Sequence, residues 1–335
     1  MRIYPVIFPG GIVTHAAARG GGQKVEQTAK AAGVRAGDNV GLGVLLVVAS
    51  ILVFGVQDAV SKVLVQDYPP FQIAMIRYWA LAALSLVLAW RQAPLRHAMR
   101  SGYPLLQVLR GMLLVADVWL FALAIRTVPL AELQAITLVY PLLVTLVAIP
   151  VLGERVGPFR LGAVLAGFAG ALVIVRPGGL PIDTGVVFAL SSSVAYALYI
   201  TLTRLVSQRD STATSMVYAA LVGVVLSSAV GVFYWHPMDG RGMLLVSVVM
   251  VTMGVAHGLM MKAISLAPAS VLQPFSYFAL PWGITLSFVV FGHLIDPISL
   301  VGAAIIAGAG LVVMARERRR LAVPASSAEA LGPRD

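Results

Sequence analysis

The side chains able to do chemistry in this sequence are scattered through long apolar stretches. They are carboxyl, amino, guanidinium, imidazole, amide and phenol groups, found at Asp58, Lys62, Arg77, Asp117, Gln134, Tyr140, Tyr196, Tyr199, His257, Gln273 and Tyr277. Charged and imidazole groups hold protons or bind ionic ligands, and amides and phenols orient a ligand by hydrogen bonds. Ionisable side chains within a bilayer usually face a cavity or a partner. The set therefore indicates binding and proton exchange.

Two acids are candidates for carrying a proton. Asp58 and Lys62 are four residues apart, so a helix places them on one face. They form either a self-neutralising pair near a membrane face or a contact that opens to bind a proton or a substrate. Asp117 has no other acid or base within one helical turn, and a protonated, neutral carboxyl there suits a coupling site. His257 either shares that proton or has a structural role.

The remaining candidates each have two interpretations. Arg77 either extends its head group to the membrane interface or contacts an anionic or carbonyl-bearing substrate. Arg110, in contrast, is expected only to anchor its helix at the interface. The amides and rings either line a cavity that stacks a planar ligand or pack between helices, and they are Gln134, Gln273, Tyr140, Tyr196, Tyr199 and Tyr277.

Composition identifies the environment of these residues. Of 335 residues, 59% are apolar and 11% charged, and the mean hydropathy is +0.91. Soluble domains are roughly 45–50% apolar and about 25% charged, which excludes a soluble enzyme. The net charge of +10 is spread between apolar runs, so no nucleic-acid partner is expected. Cysteine, a phosphate-binding loop and a zinc-binding HExxH motif are all absent from the sequence, so we expect neither a cofactor nor a metal.

Ten apolar stretches are long enough to cross a membrane as helices. They lie near residues 42–63, 71–91, 104–125, 131–151, 159–176, 184–204, 213–235, 243–264, 270–291 and 297–315. The predicted fold is therefore an all-α polytopic membrane protein. Most Lys and Arg residues fall in the two terminal segments and in alternate loops, which predicts that both termini are cytoplasmic. The expected location is a bacterial inner membrane.

An internal repeat divides the chain. Ala124-Ile125, Pro129 and Leu133-Gln134 recur as Ala263-Ile264, Pro268 and Leu272-Gln273. Each repeated segment covers the last three helices of a five-helix half, and because five is an odd number the two halves must insert with opposite orientation. The predicted units are a disordered leader (1–40), a first half (41–176), a second half (177–316) and a basic, then disordered tail (317–335). Glycines expected to let helices approach closely are Gly162, Gly167, Gly170, Gly302, Gly308 and Gly310.

Several motifs in series resemble the EamA repeat of the drug/metabolite transporter superfamily, over about residues 41–316. They are Ala124-Ile125-Arg126-Thr127-Val128-Pro129-Leu130-Ala131-Glu132, Tyr140-Pro141-Leu142, Leu152-Gly153-Glu154-Arg155 and Arg176-Pro177-Gly178. The second half departs once, because Gly153-Glu154 becomes Gly292-His293. Gln57-Asp58-Ala59 and Ala267-Pro268-Ala269-Ser270, among others, resemble the branch with riboflavin and S-adenosylmethionine carriers.

The resemblance implies a secondary transporter for a small organic metabolite, working by alternating access. A planar heteroaromatic such as riboflavin is the favoured cargo, with proton coupling through Asp117 or Asp58. An exporter of amino acids or drugs is the alternative within the superfamily. A membrane-embedded lipid-modifying enzyme is the alternative from another class, but it needs clustered acids, which the sequence lacks. The resemblance also allows a homodimer.

Overall fold

The computed structural model describes residues 39–92, 100–152, 157–175, 184–267 and 272–322. The side chains of 88–92, 152, 160, 212, 265, 273, 274 and 317–322 are not described either. Nearly all of the predicted leader, the end of the predicted tail and the Gln273 side chain therefore lie outside the described part of the protein.

The described chain consists of α-helices with two short 3₁₀ segments. The helices are α1 (Val40–Asp67), α2 (Pro70–Gln92), α3 (Pro104–Thr127), α4 (Leu130–Thr137), α5 (Tyr140–Leu152), α6 (Pro158–Ile174), α7 (Thr184–Val206), α8 (Thr212–Gly231), α9 (Gly240–Leu266), α10 (Ala279–Phe291) and α11 (Pro297–Ala322). The 3₁₀ segments are Val232–Tyr234 and Gln273–Phe278. Within the described ranges there is no strand.

These helices provide the ten spans that the sequence predicts. Eight are apolar and long enough to cross a membrane, with α4 and α5 counted as one span. The other two are shorter apolar helices, Leu161–Ile174 and Phe275–Phe291. The predicted all-α polytopic fold is confirmed. Because successive spans reverse direction, α1, α3 and α8 begin and α11 ends at one face, which we call the terminal face. The opposite one is the distal face.

Two spans are interrupted near their middles. The helix of the fourth span stops at Thr137 and resumes at Tyr140. Pro141 has no N–H to bond the Thr137 carbonyl, so the regular ladder cannot continue there. The ninth span begins as a 3₁₀ segment with Pro274 as its second residue. Both interruptions lie beside the cavity described below.

Contacts between the two halves follow a reciprocal pattern. The first span of each half packs on the third span of the other, as α1 on α9 and α7 on α3. Second, fourth and fifth spans pack on their own counterparts, as α2 on α8, α4 on α10 and α6 on α11. Exchanging the halves leaves this list unchanged, as expected for inverted repeats related by a pseudo-twofold axis.

Glycines allow close contacts both between the halves and within one half. A Cβ atom on Gly302 of α11 would lie 2.5 Å from the Gly170 carbonyl oxygen of α6, so the two backbones touch. A Cβ on Gly310 would lie 1.6 Å from the Tyr277 hydroxyl oxygen. The expected packing role is confirmed at these positions. At Gly162 and Gly308, an added Cβ would meet no described atom within 4 Å.

We predict that Gly310→Ala destabilises the protein, because the new methyl group forces the buried Tyr277 ring out of its place. Overpacking of this kind costs about 1–3 kcal/mol. Thermal unfolding in detergent measures the effect as a lower melting temperature. Gly308→Ala, two residues away on the same helix, is the matched control and should leave the melting temperature unchanged or raise it. Equal melting temperatures for the two variants would contradict the prediction.

Candidate functional site

A cavity of about 390 Å³ lies between the two halves. This volume falls within the range of roughly 300–1,000 Å³ that is usual for small-molecule pockets. Both halves contribute to its wall, through α1–α5 of the first, and α7, α9, the second 3₁₀ segment and α10 of the second. The sequence-predicted residues that line it are Asp58, Arg77, Asp117, Gln134, Tyr140, Tyr196 and His257. Lys62, Tyr199 and Tyr277 are not among the lining residues.

Asp58 joins α1 to α4 at the cavity wall. Its Oδ2 accepts a hydrogen bond from Gln134 Nε2 at 2.9 Å. The stem of Gln134 lies against Gly283 of α10, where an added Cβ would approach its Cγ to 2.8 Å. The absence of a side chain at Gly283 therefore leaves room for the amide that holds Asp58.

Lys62 does not pair with Asp58, and that expectation is wrong. Its Nζ donates to the carbonyl oxygens of Ile125 and Val128, both at 2.7 Å, at the end of α3. The last carbonyls of a helix are unsatisfied and attract a cation, so the lysine caps α3 instead. Lys62 thus ties α1 to α3 and leaves the cavity to Asp58.

Asp117 joins α3 of the first half to α7 of the second. Its Oδ1 accepts a hydrogen bond from Ser192 Oγ at 2.6 Å. His257 lines the same cavity but does not bond Asp117. Its Nδ1 lies 2.9 Å from the Met253 carbonyl oxygen of its own helix, and its ring packs edge-on against Phe54 at 5.0 Å. The expected proton sharing between His257 and Asp117 is therefore wrong for this conformation.

Arg77 lines the cavity instead of extending to the membrane interface, so the interfacial interpretation is wrong. Its Nε is buried and has no hydrogen-bond partner among the described residues. The guanidinium is close enough to act electrostatically on Asp58 and Asp117. The cavity wall thus combines two carboxyl groups with one guanidinium group.

Aromatic rings form part of the cavity wall. Tyr140 and Tyr196 meet edge to face with ring centroids 4.9 Å apart. Trp282 donates from Nε1 to the Leu52 carbonyl oxygen at 3.0 Å, and its ring covers Gly55 so closely that a Cβ there would lie 2.4 Å away. These rings offer faces and edges to a planar ligand.

Ser192 and Ser276 line the cavity but are missing from the sequence-predicted set. The signal for Ser192 is present in the sequence, as three consecutive serines at 191–193 within an apolar span. Ser276 gives no comparable signal, because it reaches the wall only through the 3₁₀ turn that starts the ninth span. Trp119 of α3 packs on Phe71 and does not line the cavity.

Arg110 is buried, with 2% of its surface exposed, so the expected interfacial anchoring is wrong. Its Nε donates to Gln107 Oε1 at 3.2 Å, and its terminal nitrogens donate to Thr203 Oγ1 at 3.2 Å, to Tyr199 Oη at 3.4 Å and to the Ser215 carbonyl. The charge is retained because the residues around it supply acceptors.

The sequence profile of the EamA-like transporter family matches residues 41–176 and, a second time, residues 183–315. The chain belongs to the EamA-like transporter family. It is therefore a membrane protein that transports small metabolites, as the motif resemblance implies. Its relatives are transporters, which supports the expectation that it is not an enzyme.

Two relatives are carriers of named metabolites. The S-adenosylmethionine uptake transporter of Rickettsia prowazekii (strain Madrid E) is 21% identical, over 83% of this chain and 94% of its own. The riboflavin transporter of Vibrio cholerae serotype O1 is 27% identical, over 79% of this chain and 90% of its own. The predicted branch is confirmed. One crystal structure, 20% identical and with a TM-score of 0.59, covers 83% of this chain and shares its fold.

We predict that the cavity is open to water. Ala279→Cys, at the cavity wall, should react with a charged, water-soluble thiol reagent. Ala303→Cys, which is fully buried on α11, should stay unmodified. The sequence contains no cysteine, so each variant reports on one thiol, and mass spectrometry of the purified protein counts the adducts. An unreactive Ala279→Cys would contradict a hydrated cavity.

Proposed function

We propose that this EamA-like transporter carries a planar heteroaromatic metabolite by alternating access, with the central cavity as its binding site. The observation that carries the proposal is the composition of the wall, in which two carboxyl groups, a guanidinium and several aromatic rings surround one space. Riboflavin and S-adenosylmethionine, the cargoes named for two relatives, both contain a fused nitrogen heterocycle.

The polar groups complement the edge of such a ring. Arg77 can donate to a ring carbonyl or to a carboxylate, and planar guanidinium groups are well suited to that contact. Asp58 and Asp117 can accept from a ring N–H or an exocyclic amine. Tyr140, Tyr196 and Trp282 supply the apolar surface on which the ring system stacks. A riboflavin-like imide edge, with carbonyl and N–H groups alternating, fits this set.

We assign the coupling proton first to Asp117 and second to Asp58. The hydrogen bond of Asp117 crosses from the first half to the second, through Ser192. The bond of Asp58 to Gln134 stays within the first half. Protonation of Asp117 therefore acts on a contact between the units that alternating access moves, namely residues 41–176 and 177–316.

A zwitterionic amino acid is the second candidate cargo. The same wall offers Arg77 to a carboxylate and Asp58 or Asp117 to an ammonium group. If the protein binds an amino acid and no heteroaromatic compound, it is an exporter or importer of amino acids. S-adenosylmethionine combines an amino-acid part with a heteroaromatic ring, so it offers a partner to the guanidinium, the carboxyl groups and the aromatic rings of the wall.

Proton coupling predicts a specific loss in Asp117→Asn, which keeps the size of the side chain but cannot release a proton. A gradient of one pH unit is worth about 1.4 kcal/mol, so coupling to one proton gives about tenfold accumulation of a neutral cargo. We expect wild-type proteoliposomes to accumulate riboflavin under such a gradient, and Asp117→Asn to equilibrate it without accumulation. Riboflavin fluorescence inside the liposomes measures both.

Asp67→Asn is the matched control, because Asp67 is an exposed acid at the distal end of α1. It should behave as the wild type does. Accumulation by Asp117→Asn would remove the coupling assignment. If the wild type does not transport riboflavin but does transport S-adenosylmethionine or an amino acid, the proposed cargo is wrong and the proposed transport function stands.

The positive-inside rule leads us to propose that the terminal face is cytoplasmic, in a bacterial inner membrane. Ser207→Cys and Arg241→Cys place exposed thiols at the terminal and distal faces, respectively. In intact spheroplasts an impermeant maleimide should label Arg241→Cys but not Ser207→Cys. Ser207→Cys should be labelled only after the spheroplasts are permeabilised. The reverse labelling would invert the orientation. We also propose that the protein binds no nucleic acid. It is either a monomer or a homodimer, and sedimentation in detergent distinguishes the two.

A further inference from the structure

A buried polar contact joins the two halves at the terminal face, away from the cavity. Asp210 lies between α7 and α8 and accepts hydrogen bonds from the Gly102 amide at 2.7 Å, from Gln107 Nε2 at 2.8 Å and from Ser101 Oγ. The three donors belong to the segment that starts α3, in the first half. Asp210 is 8% exposed and Gln107 fully buried.

The Asp210 carboxylate is charged at neutral pH. Burial alone would raise the pKa of Asp210, but the hydrogen bonds from Ser101, Gln107 and the Gly102 amide outweigh it, with a smaller contribution from Arg110. The pKa therefore lies below its ordinary value of about 4. The contact is thus a carboxylate held by neutral donors, with the Arg110 charge behind them.

Arg110 continues this contact from the turn towards the cavity. Gln107 bridges the two charges, because its Oε1 accepts from Arg110 Nε while its Nε2 donates to Asp210. The Arg110 guanidinium carbon lies 5.2 Å from the centre of the Tyr199 ring. Tyr199 stacks on Tyr196 with centroids 5.7 Å apart, and Tyr196 lines the cavity.

A counterpart exists at the distal face, where the α1–α2 and α8–α9 junctions meet. Tyr68 Oη donates to Asp239 Oδ1 at 2.8 Å, and the Gln72 amide exchanges two hydrogen bonds with the backbone of His236. Tyr68 is half-buried and Asp239 exposed, so this contact lies in water at its outer end. The terminal-face contact is the more deeply buried of the two.

We propose that Gln107, Arg110, Tyr199 and Asp210 form a gate, which we call the terminal-face gate, and that it must open for cargo to pass between the cavity and that face. This inference rests on the proposed transport function. The gate is held by hydrogen bonds and ring contacts across the seam of α3 with α7 and α8, and water that enters the seam can replace each of those bonds. Inverted halves that alternate need a contact of this kind at each face.

The geometry provides a reversible lock for the test. A Cβ atom on Gly102 would lie 3.3 Å from Arg209 Cβ, close to the separation of roughly 3.5–4.5 Å across a disulfide. The sequence has no cysteine of its own, so Gly102→Cys with Arg209→Cys introduces one thiol pair. Oxidation of this double variant should hold the two junctions together, and reduction should release them.

We expect the reduced double variant in proteoliposomes to transport riboflavin, the oxidised one to fall to the level of empty liposomes, and dithiothreitol to restore transport. Each single variant, oxidised in the same way, is the control and should keep its transport. Undiminished transport by the cross-linked protein would overturn the gate. Failure to cross-link, with both thiols reactive to maleimide, would overturn it too, because the junctions would not be held together.

A labelling experiment tests the gate without any cargo, so a failure of the proposed function is distinguishable from a failure of the gate. The reporter is the thiol of Ala279→Cys at the cavity wall, reached from the terminal face in inside-out vesicles. Adding Arg110→Gln should raise its labelling rate, and adding Arg126→Gln, an exposed distal-face arginine, should not. Equal rates in a folded Arg110→Gln protein would contradict the gate. If the Arg110→Gln variant does not fold, the cross-linked protein provides the test instead. The labelling rate of its Ala279→Cys thiol must then be no higher than the rate in the reduced form.

Discussion

Hydrocarbon offers no hydrogen-bond partner, so every polar group in the membrane-spanning part of this protein must be satisfied by the protein itself or by enclosed water. The structure meets this constraint by giving most of its charged side chains partners on neighbouring helices, some within one half and some in the other. Asp58 and Asp117 bond to neighbouring helices, Lys62 caps a helix end and Arg110 is surrounded by acceptors. Arg77 lines the shared cavity, but its buried Nε has no partner among the described residues, as is also true of several neutral groups such as the Gln57 amide and the Tyr78 hydroxyl.

The spans and their reciprocal arrangement were predictable because both depend on local patterns. Apolar length determines the number of crossings, and an odd number of helices per half requires inversion. The break at Thr137 was also foreseeable from Pro141, whose missing N–H is a property of one residue. Seven of the predicted site residues line the cavity for the same reason, since polar groups in apolar helices have few other places to go.

Contacts between distant segments were not predictable in this way. The four-residue spacing of Asp58 and Lys62 places them on one face, but the long lysine side chain reaches the end of α3 and leaves its neighbour. Arg110 looks like an interfacial residue until α7 and α8 surround it. The change from Gly-Glu to Gly-His was visible, yet the partner of His293, Glu132 at 2.9 Å, comes from the opposite half.

The backbone contact between α6 and α11 has a consequence for how this protein can diversify. In the described part of the chain neither helix supplies a residue to the cavity wall, and their approach depends on Gly170 and Gly302. Substitutions that retune ligand preference therefore fall on other helices, while the attachment of the outermost pair depends on two positions without side chains. The attachment of α6 to α11 and the composition of the cavity wall are therefore encoded in different residues, so ligand preference can evolve, or be engineered, without disturbing this contact.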